Sequence, residues 1–524
     1  MSNKDQFIQE ITSGYTFKGD SIVLGGAIYD KSPIPNCLVK IPLKMMNRHG
    51  LIAGATGSGK TKTLQIIAEQ LSAKSVPVLM MDIKGDLSGV AVPSAGHPKI
   101  EERHANIGIP FTASGSPVEF LTLSDEPGAR LRATVTEFGP ILLSKILDLS
   151  ETQSGVLAVV FKYCDDNKWA LIDLKDLKKV LQFITGEGKD DFKKEYGTVS
   201  TTSVGAIMRK IVELEQQGAE VFFGERSFEV DDLCRLDENG KGIISIVRLT
   251  DIQDKPKLFS TFMLQMLAEI YASFPEEGDM DAPKLVIFID EAHLVFENAS
   301  SALMDQIEAI VKLIRSKGIG IFFVTQNPTD VPDAVLGQLG LKIQHALRAF
   351  TAKDRKAIKL TAQNYPMTEH YQVETLLTEL GIGEAFITTL NEKGIPTPLV
   401  HALLRAPQSR MDILTDKEIE NIIDRSVLVK KYNEVIDRDS AYEILNKKIE
   451  RFQEEEHQAE LKGQREKGRA STRQEKSAIE KVLTSTTTRQ IGRTVARELT
   501  RGLLGALGIK TSTRRSSSKK SSWF

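Results

Sequence analysis

Residues 54–61 read Gly54-Ala55-Thr56-Gly57-Ser58-Gly59-Lys60-Thr61, a fit to G-x-x-x-x-G-K-[ST]. Glycines at that spacing let the backbone wrap phosphates with its N–H groups. The lysine reaches the β- and γ-phosphates, and the threonine hydroxyl is placed to ligate Mg²⁺. The competing reading is a chance match in a glycine-rich loop. The context argues against it: the apolar strand Leu51–Ala53 precedes the motif, and an amphipathic helix beginning at Lys60 follows it, its N-terminal dipole favouring an anion.

A second acidic element completes such a site. Leu285–Ile289 is a run of five apolar residues ending in Asp290 and Glu291. The aspartate suits a metal ligand beside Thr61, and the glutamate suits a general base for an attacking water. The alternative is a strand that ends in ordinary solvent-facing acids. His293 is given only a structural or supporting role. The run Ile321–Thr325 ends in Gln326, which would sit beside the γ-phosphate if its strand lies between those of the loop and Asp290. It could equally cap backbone groups at a loop start. Arg348 and Arg355 flank the end of the next strand and the start of a helix. Either could stabilise transition-state charge from a neighbouring subunit, or simply make a surface salt bridge. Asp82, Lys84 and Asp86 follow the second strand; Asp82 reads as a contact to the metal shell or as part of a turn. The implied cofactors are ATP and Mg²⁺.

The elements that must position these groups alternate. After Leu51–Ala53 comes a helix over Lys60–Ala73, with Leu64, Ile67, Ala68 and Leu71 on one face. Strands are expected at Val76–Met81, Val118–Leu123, Ile243–Leu249, Leu285–Ile289, Ile319–Val324, Ile343–Leu347 and Ala385–Leu390. Helices are expected over Lys257–Ala272, Ala302–Lys317 and Lys353–Thr361. Such alternation predicts a mainly parallel α/β sheet covered on both faces. Residues 1–48 read as a small β segment, with runs Ser21–Leu24 and Cys37–Ile41, too short for a barrel unless later strands or a neighbouring subunit complete it. Residues 49–415 read as the ATPase domain, carrying a helical insertion at about 139–222. Residues 416–483 form a charged helical region, and 484–524 a basic tail, in part disordered.

With 524 residues, 41% of them hydrophobic, the chain has material for a large core. Its net charge of −2 is unevenly spread. Residues 457–524 hold 16 Lys+Arg against 5 Asp+Glu, a net of +11, which leaves −13 elsewhere. Such asymmetry points to a partner for the tail: nucleic acid, an anionic membrane or another protein. Arg489, Arg493, Arg497 and Arg501 recur every four residues beside the apolar Gly502–Ile509. Three dispersed cysteines, Cys37, Cys164 and Cys234, exclude a disulfide framework and fit a reducing compartment. The polar N-terminus has no secretory signature, and no apolar run approaches the roughly 20 residues that span a bilayer. The expected location is the cytoplasm.

In this order the motifs resemble the HerA–FtsK superfamily of ring-forming ATPases, and within it the bacterial YjgR-type proteins with a HerA-like domain. The segments that carry the likeness are Arg48–Ala53 running into Gly54–Thr61, Met81–Gly89, Phe288–Leu294, Val324–Pro328 and Leu336–Arg348. The likeness extends over about residues 20–505. The resemblance implies a RecA-like core, a homo-oligomer (a hexameric ring with ATP at its interfaces) and translocation on double-stranded DNA. It assigns Lys60 and Thr61 to phosphates and metal, Asp290 and Glu291 to the second acidic motif, Gln326 to a sensor and Arg348 to the finger. A reading of another class is an ATP-gated assembly or membrane-surface scaffold with slow hydrolysis and no translocation on DNA.

Overall fold

The apolar runs resolve into one sheet of 12 strands in the computed structural model. It describes residues 2–451 and 454, apart from 254, 279, 297–300, 435, 437 and 438. The strands are β1 (Ser21–Tyr29), β2 (Ser32–Pro42), β3 (Gly50–Ala53), β4 (Val78–Asp82), β5 (Val118–Thr122) and β6 (Ala129–Arg130). They continue with β7 (Ile244–Arg248), β8 (Leu285–Ile289), β9 (Ile319–Thr325), β10 (Leu341–Gln344), β11 (Glu384–Thr388) and β12 (Val400–Leu404). Their spatial order is β2-β1-β12-β11-β10-β3-β9-β8-β4-β7-β5-β6. From β10 to β6 every pairing is parallel; from β10 to β2 every pairing is antiparallel.

The parallel strands read as unbroken apolar runs because both faces are covered. Every residue of β3, β4, β8 and β9 is buried. Successive side chains go to opposite layers. Ile52, Val78, Met80, Val286, Phe288, Phe322 and Val324 face the layer that holds Leu64, Ile67 and Leu71 of helix Lys60–Ala73. Leu51, Leu79, Met81, Ile287, Ile289, Ile321 and Phe323 face the other, with Phe262 and Met263 of helix Pro256–Ser273.

Between β6 and β7 the chain makes five helices: Val135–Ile146, Glu151–Asn167, Leu174–Phe183, Lys189–Tyr196 and Thr201–Gln216. Their Leu157, Leu177, Val180 and Ile207 are wholly buried in the same apolar layer as Ile287. After helix Asp416–Ile423 come helix Val427–Tyr432 and a helical stretch at 441–451. Leu428, Tyr432, Ala441 and Leu445 return to that layer. The expectations for the charged stretch beyond 454 and for the basic tail lie outside the described residues.

Residues 1–48 hold a helix, Asn3–Gly14, started by a capping box at Ser2 and Asp5, and the β1–β2 hairpin. Strand β12, which the sequence analysis did not anticipate, joins this hairpin to β11 and so to the main sheet. Tyr15, just past the helix, is 1% exposed. Its single hydroxyl proton is shared between the carbonyls of Ile387 (2.9 Å) and Pro398 (2.8 Å), at the β11–β12 connection. Among the described residues no helix is long and apolar enough to cross a membrane.

The Tyr15→Phe variant removes that donor and leaves buried carbonyls short of a partner. It is expected to lower unfolding free energy by about 1–3 kcal/mol, read from urea denaturation. An unchanged midpoint would mean that the N-terminal helix is not anchored through this hydroxyl.

Candidate active site

Strand β3 ends at Ala53, and residues 54–59 turn back to start helix Lys60–Ala73. The loop is tied down on both sides. Gly54 N donates to Thr325 O at the end of β9 (3.2 Å), and Ala55 N donates to Ala346 O just past β10 (2.7 Å). Gly54 has φ +153°, and a Cβ there would lie 2.5 Å from the Cβ of His345, so only glycine fits. Gly59, at φ +114°, caps the helix without a side-chain hydrogen bond, so the first-turn amides are left for an anion.

Lys60 is 6% exposed and its ammonium donates to the carbonyls of Gly54 (2.7 Å) and Ala55 (3.2 Å). Burial, then the neighbouring Lys84 ammonium, push the Lys60 amine down, against the pull of Glu291, Asp290 and Asp86. Lys84, which also pairs with Glu291, links the loop lysine to the acids at the end of β8. Thr61 Oγ1 donates to Asp86 Oδ2 at 3.3 Å.

Asp290 and Glu291 are 4% and 5% exposed. Burial, reinforced by the Glu291 charge, raises the Asp290 carboxyl to about 6. Glu291 sits at φ +45°, a backbone region that costs free energy in a residue with a β-carbon and clusters at functional sites. Its carboxylate forms an ion pair with Lys84 Nζ, and His293 Nδ1 lies 3.3 Å from Oε2, which gives His293 its supporting place. Asp82 plays another part: its carboxylate accepts from the amides of Gly85 (2.8 Å), Asp86 (3.1 Å) and Leu87 (3.2 Å). It therefore shapes the turn that presents Lys84 and Asp86. Burial and the Asp86 charge outweigh those bonds and raise Asp82 to about 7.

The residues fit a small hard cation. Asp290 Oδ2 and Asp86 Oδ1 are buried and have no hydrogen-bond partner. Among the described residues no group of three or more His, Cys, Asp or Glu could hold a metal unaided. Mg²⁺ does not need one, because it keeps waters and takes phosphate oxygens beside one or two carboxylates.

Gln326 meets the condition set for it: β9 lies between β3 and β8. Its side chain is exposed and shares with His293 and Asn327 an open cleft of about 620 Å³. Arg348 follows two residues after Ala346, which the loop bonds, but its guanidinium turns to another partner. Arg348 and Arg355 are both exposed; Arg348 Nη1 donates to Thr378 O (2.9 Å), and Arg355 stands on helix Ala352–Gln363. One residue of the site escaped the sequence analysis. His345, fully buried behind the loop, holds Thr63 Oγ1 at 2.8 Å through Nε2, and burial drives its imidazole down to about 4. Its position, a polar residue at the end of an apolar strand, was the available signal.

A parallel sheet with a glycine loop at the end of one strand, and a buried acid pair two strands away, defines a P-loop nucleoside triphosphatase. Within that class the chain belongs to the helicase HerA-like C-terminal family, whose pattern matches residues 30–512. It is 23% identical over 365 residues to the DNA double-strand break repair helicase HerA of Sulfolobus acidocaldarius, covering 67% of this chain and 64% of that protein. It is 24% identical over 357 residues to the protein of the same name from Sulfurisphaera tokodaii, again covering 67% and 64%. The chain thus spans just under two thirds of these relatives. Among solved structures, the bacterial conjugative coupling protein TrwB, unbound, superposes with a TM-score of 0.50 at 15% identity, covering 78% of this chain and 95% of that one. That likeness speaks for the fold.

Two buried carboxyls with raised pKa set a pH dependence. Each binds a proton more tightly folded than unfolded, so its contribution is present below about pH 4 and is lost as pH rises through about 6 and 7. With a chelator present, these two groups pull the melting temperature down between pH 5 and pH 8, against the opposite pull of the buried His345 imidazole. Asp290→Asn should flatten part of that slope. An equal slope in wild type and variant would show that Asp290 is not buried against Glu291.

Proposed function

We propose that this chain is a Mg²⁺-dependent ATPase that works as a ring-shaped motor on double-stranded DNA. The observation that carries the catalytic half is the convergence of Lys60, Thr61, Asp86, Asp290 and Glu291 on one buried site at the C-terminal ends of β3, β4 and β8. The loop amides and Lys60 hold the phosphates. Thr61 and Asp290 are the protein ligands for the metal. When bound, Mg²⁺ neutralises charge that develops on the transferring phosphoryl group. Glu291 takes the proton of the attacking water, and Lys84 and His293 fix the direction of its carboxylate. Gln326, just past the intervening strand, orients that water or senses its loss. Arg348, with Arg355 as the alternative, completes the transition-state charge from a neighbouring copy.

The motor half rests on family membership and on the relatives named as DNA repair helicases. A coupling protein of similar fold is known in complex with a non-hydrolysable ATP analogue.

Lys60→Ala is expected to abolish nucleotide binding. Glu291→Gln should keep binding and lose turnover by about 10²–10⁴-fold, measured by phosphate release. Turnover at the wild-type rate would remove Glu291 from the mechanism. Duplex DNA should stimulate hydrolysis at low salt and less as salt rises; no binding or stimulation at low salt would sink the DNA half while leaving the ATPase intact.

A further inference from the structure

The phosphate loop has a second neighbour whose side chain is unexplained by hydrolysis. Gly381-Ile382-Gly383 is a turn at the start of β11. β11 runs antiparallel beside β10, so its first residues stand at the same end of the sheet as the phosphate loop. Gly383 N donates to Ser58 O at 3.1 Å, and its backbone lies 3.3 Å from where a Cβ on Gly59 would be. The turn is rigidly held. Gly383 O accepts from Arg103 Nη1 (3.2 Å) and Leu404 N (2.9 Å), and Ile382 O accepts from Arg103 Nη2 (3.2 Å). Gly381 N donates to Glu384 Oε2 (3.0 Å). Yet the Ile382 side chain is 73% exposed. A branched apolar side chain on a tethered backbone is thus presented to water beside the loop.

Direction decides what meets it. Asp290 and Asp86 lie on the β8 and β4 side of the loop, so the terminal phosphate points there. The Gly381–Gly383 turn lies on the opposite, β10 and β11, side. A triphosphate laid across the loop therefore carries its sugar and base toward Ser58, Gly59 and Ile382. We propose that Ile382 is the platform on which the nucleobase rests, an affinity contact distinct from the phosphate and metal groups. The inference rests on the ATPase reading above. An isoleucine side chain has neither donor nor acceptor, so it holds the flat face of a base without reading its edge. ATP and GTP are held alike by this contact, and an inorganic triphosphate does not feel it.

The test is calorimetric titration of the full chain with Mg²⁺–ATP, Mg²⁺–GTP and Mg²⁺–tripolyphosphate. Ile382→Ser is expected to weaken ATP and GTP by about tenfold, the scale of losing a small apolar contact, and to leave tripolyphosphate unchanged. Ile382→Leu should restore ATP affinity to near the wild-type value. ATP affinity unaltered in Ile382→Ser, or equal weakening of ATP and tripolyphosphate, overturns the proposal. Wild-type protein that binds neither ATP nor tripolyphosphate overturns the ATPase reading itself, so the two failures are distinguishable.

Discussion

Charges removed from water are tolerated only when opposites meet, and the C-terminal edge of this sheet concentrates them. Asp290 and Glu291 are each about one-twentieth exposed, Lys60 hardly more, and Asp86 and Lys84 stand beside them. Isolated, Asp290, Glu291 or Lys60 would cost several kcal/mol, of the order set by desolvation of a single ion. Together they form a network of three acids and two ammonium groups that leaves Asp290 Oδ2 and Asp86 Oδ1 without hydrogen-bond partners. That network is the centre of the site. Around it, Asp82 holds the Lys84–Asp86 turn and Glu291 takes a strained backbone, while close packing against His345 keeps Gly54 free of a side chain.

The positions of these groups follow from parallel pairing. In a parallel sheet all strand ends that face the loops lie on one edge, so residues far apart in sequence arrive together. Lys60 follows β3, Asp86 follows β4 and Asp290 follows β8. The intervening β9 brings Thr325, whose hydroxyl donates to Asp330 (2.6 Å), and delivers Gln326 into the cleft shared with His293. His345 seals the loop from behind as a neutral imidazole, kept so by burial and by the Lys60 charge. The site is thus a property of strand order rather than of any one segment.

Much of this was legible in the chain itself. The helix Lys60–Ala73 and the strand Leu285–Ile289 were expected with the bounds they have. Local pattern suffices there, because a motif with fixed spacing abuts a strong apolar run. The loop and the acid pair followed from the same pattern, whereas the place of Gln326 waited on the strand order that sets β9 between β3 and β8. What was not legible depends on pairing across the chain. β12 is five buried residues with no alternation, and only its partners β1 and β11 make it a strand. Asp82 could not be told from a metal contact until its three amide donors were seen. His345 looked like any strand-end residue until Gly54 proved too close for a side chain. Ile382 carries no sequence signal, since its interest lies in the bonds that Ser58 and Arg103 make to its neighbours.

The β1–β2 hairpin closes one end of the sheet, and its outer strand carries Pro33, Pro35 and Pro42 with Lys40. Proline has no amide hydrogen to offer a neighbouring ladder, and a lysine on such a border repels a flat, dry approach. At the far end, β6 is only two residues long. Neither border is a template for a further strand. The described sheet is thereby guarded at both borders against edge-to-edge aggregation.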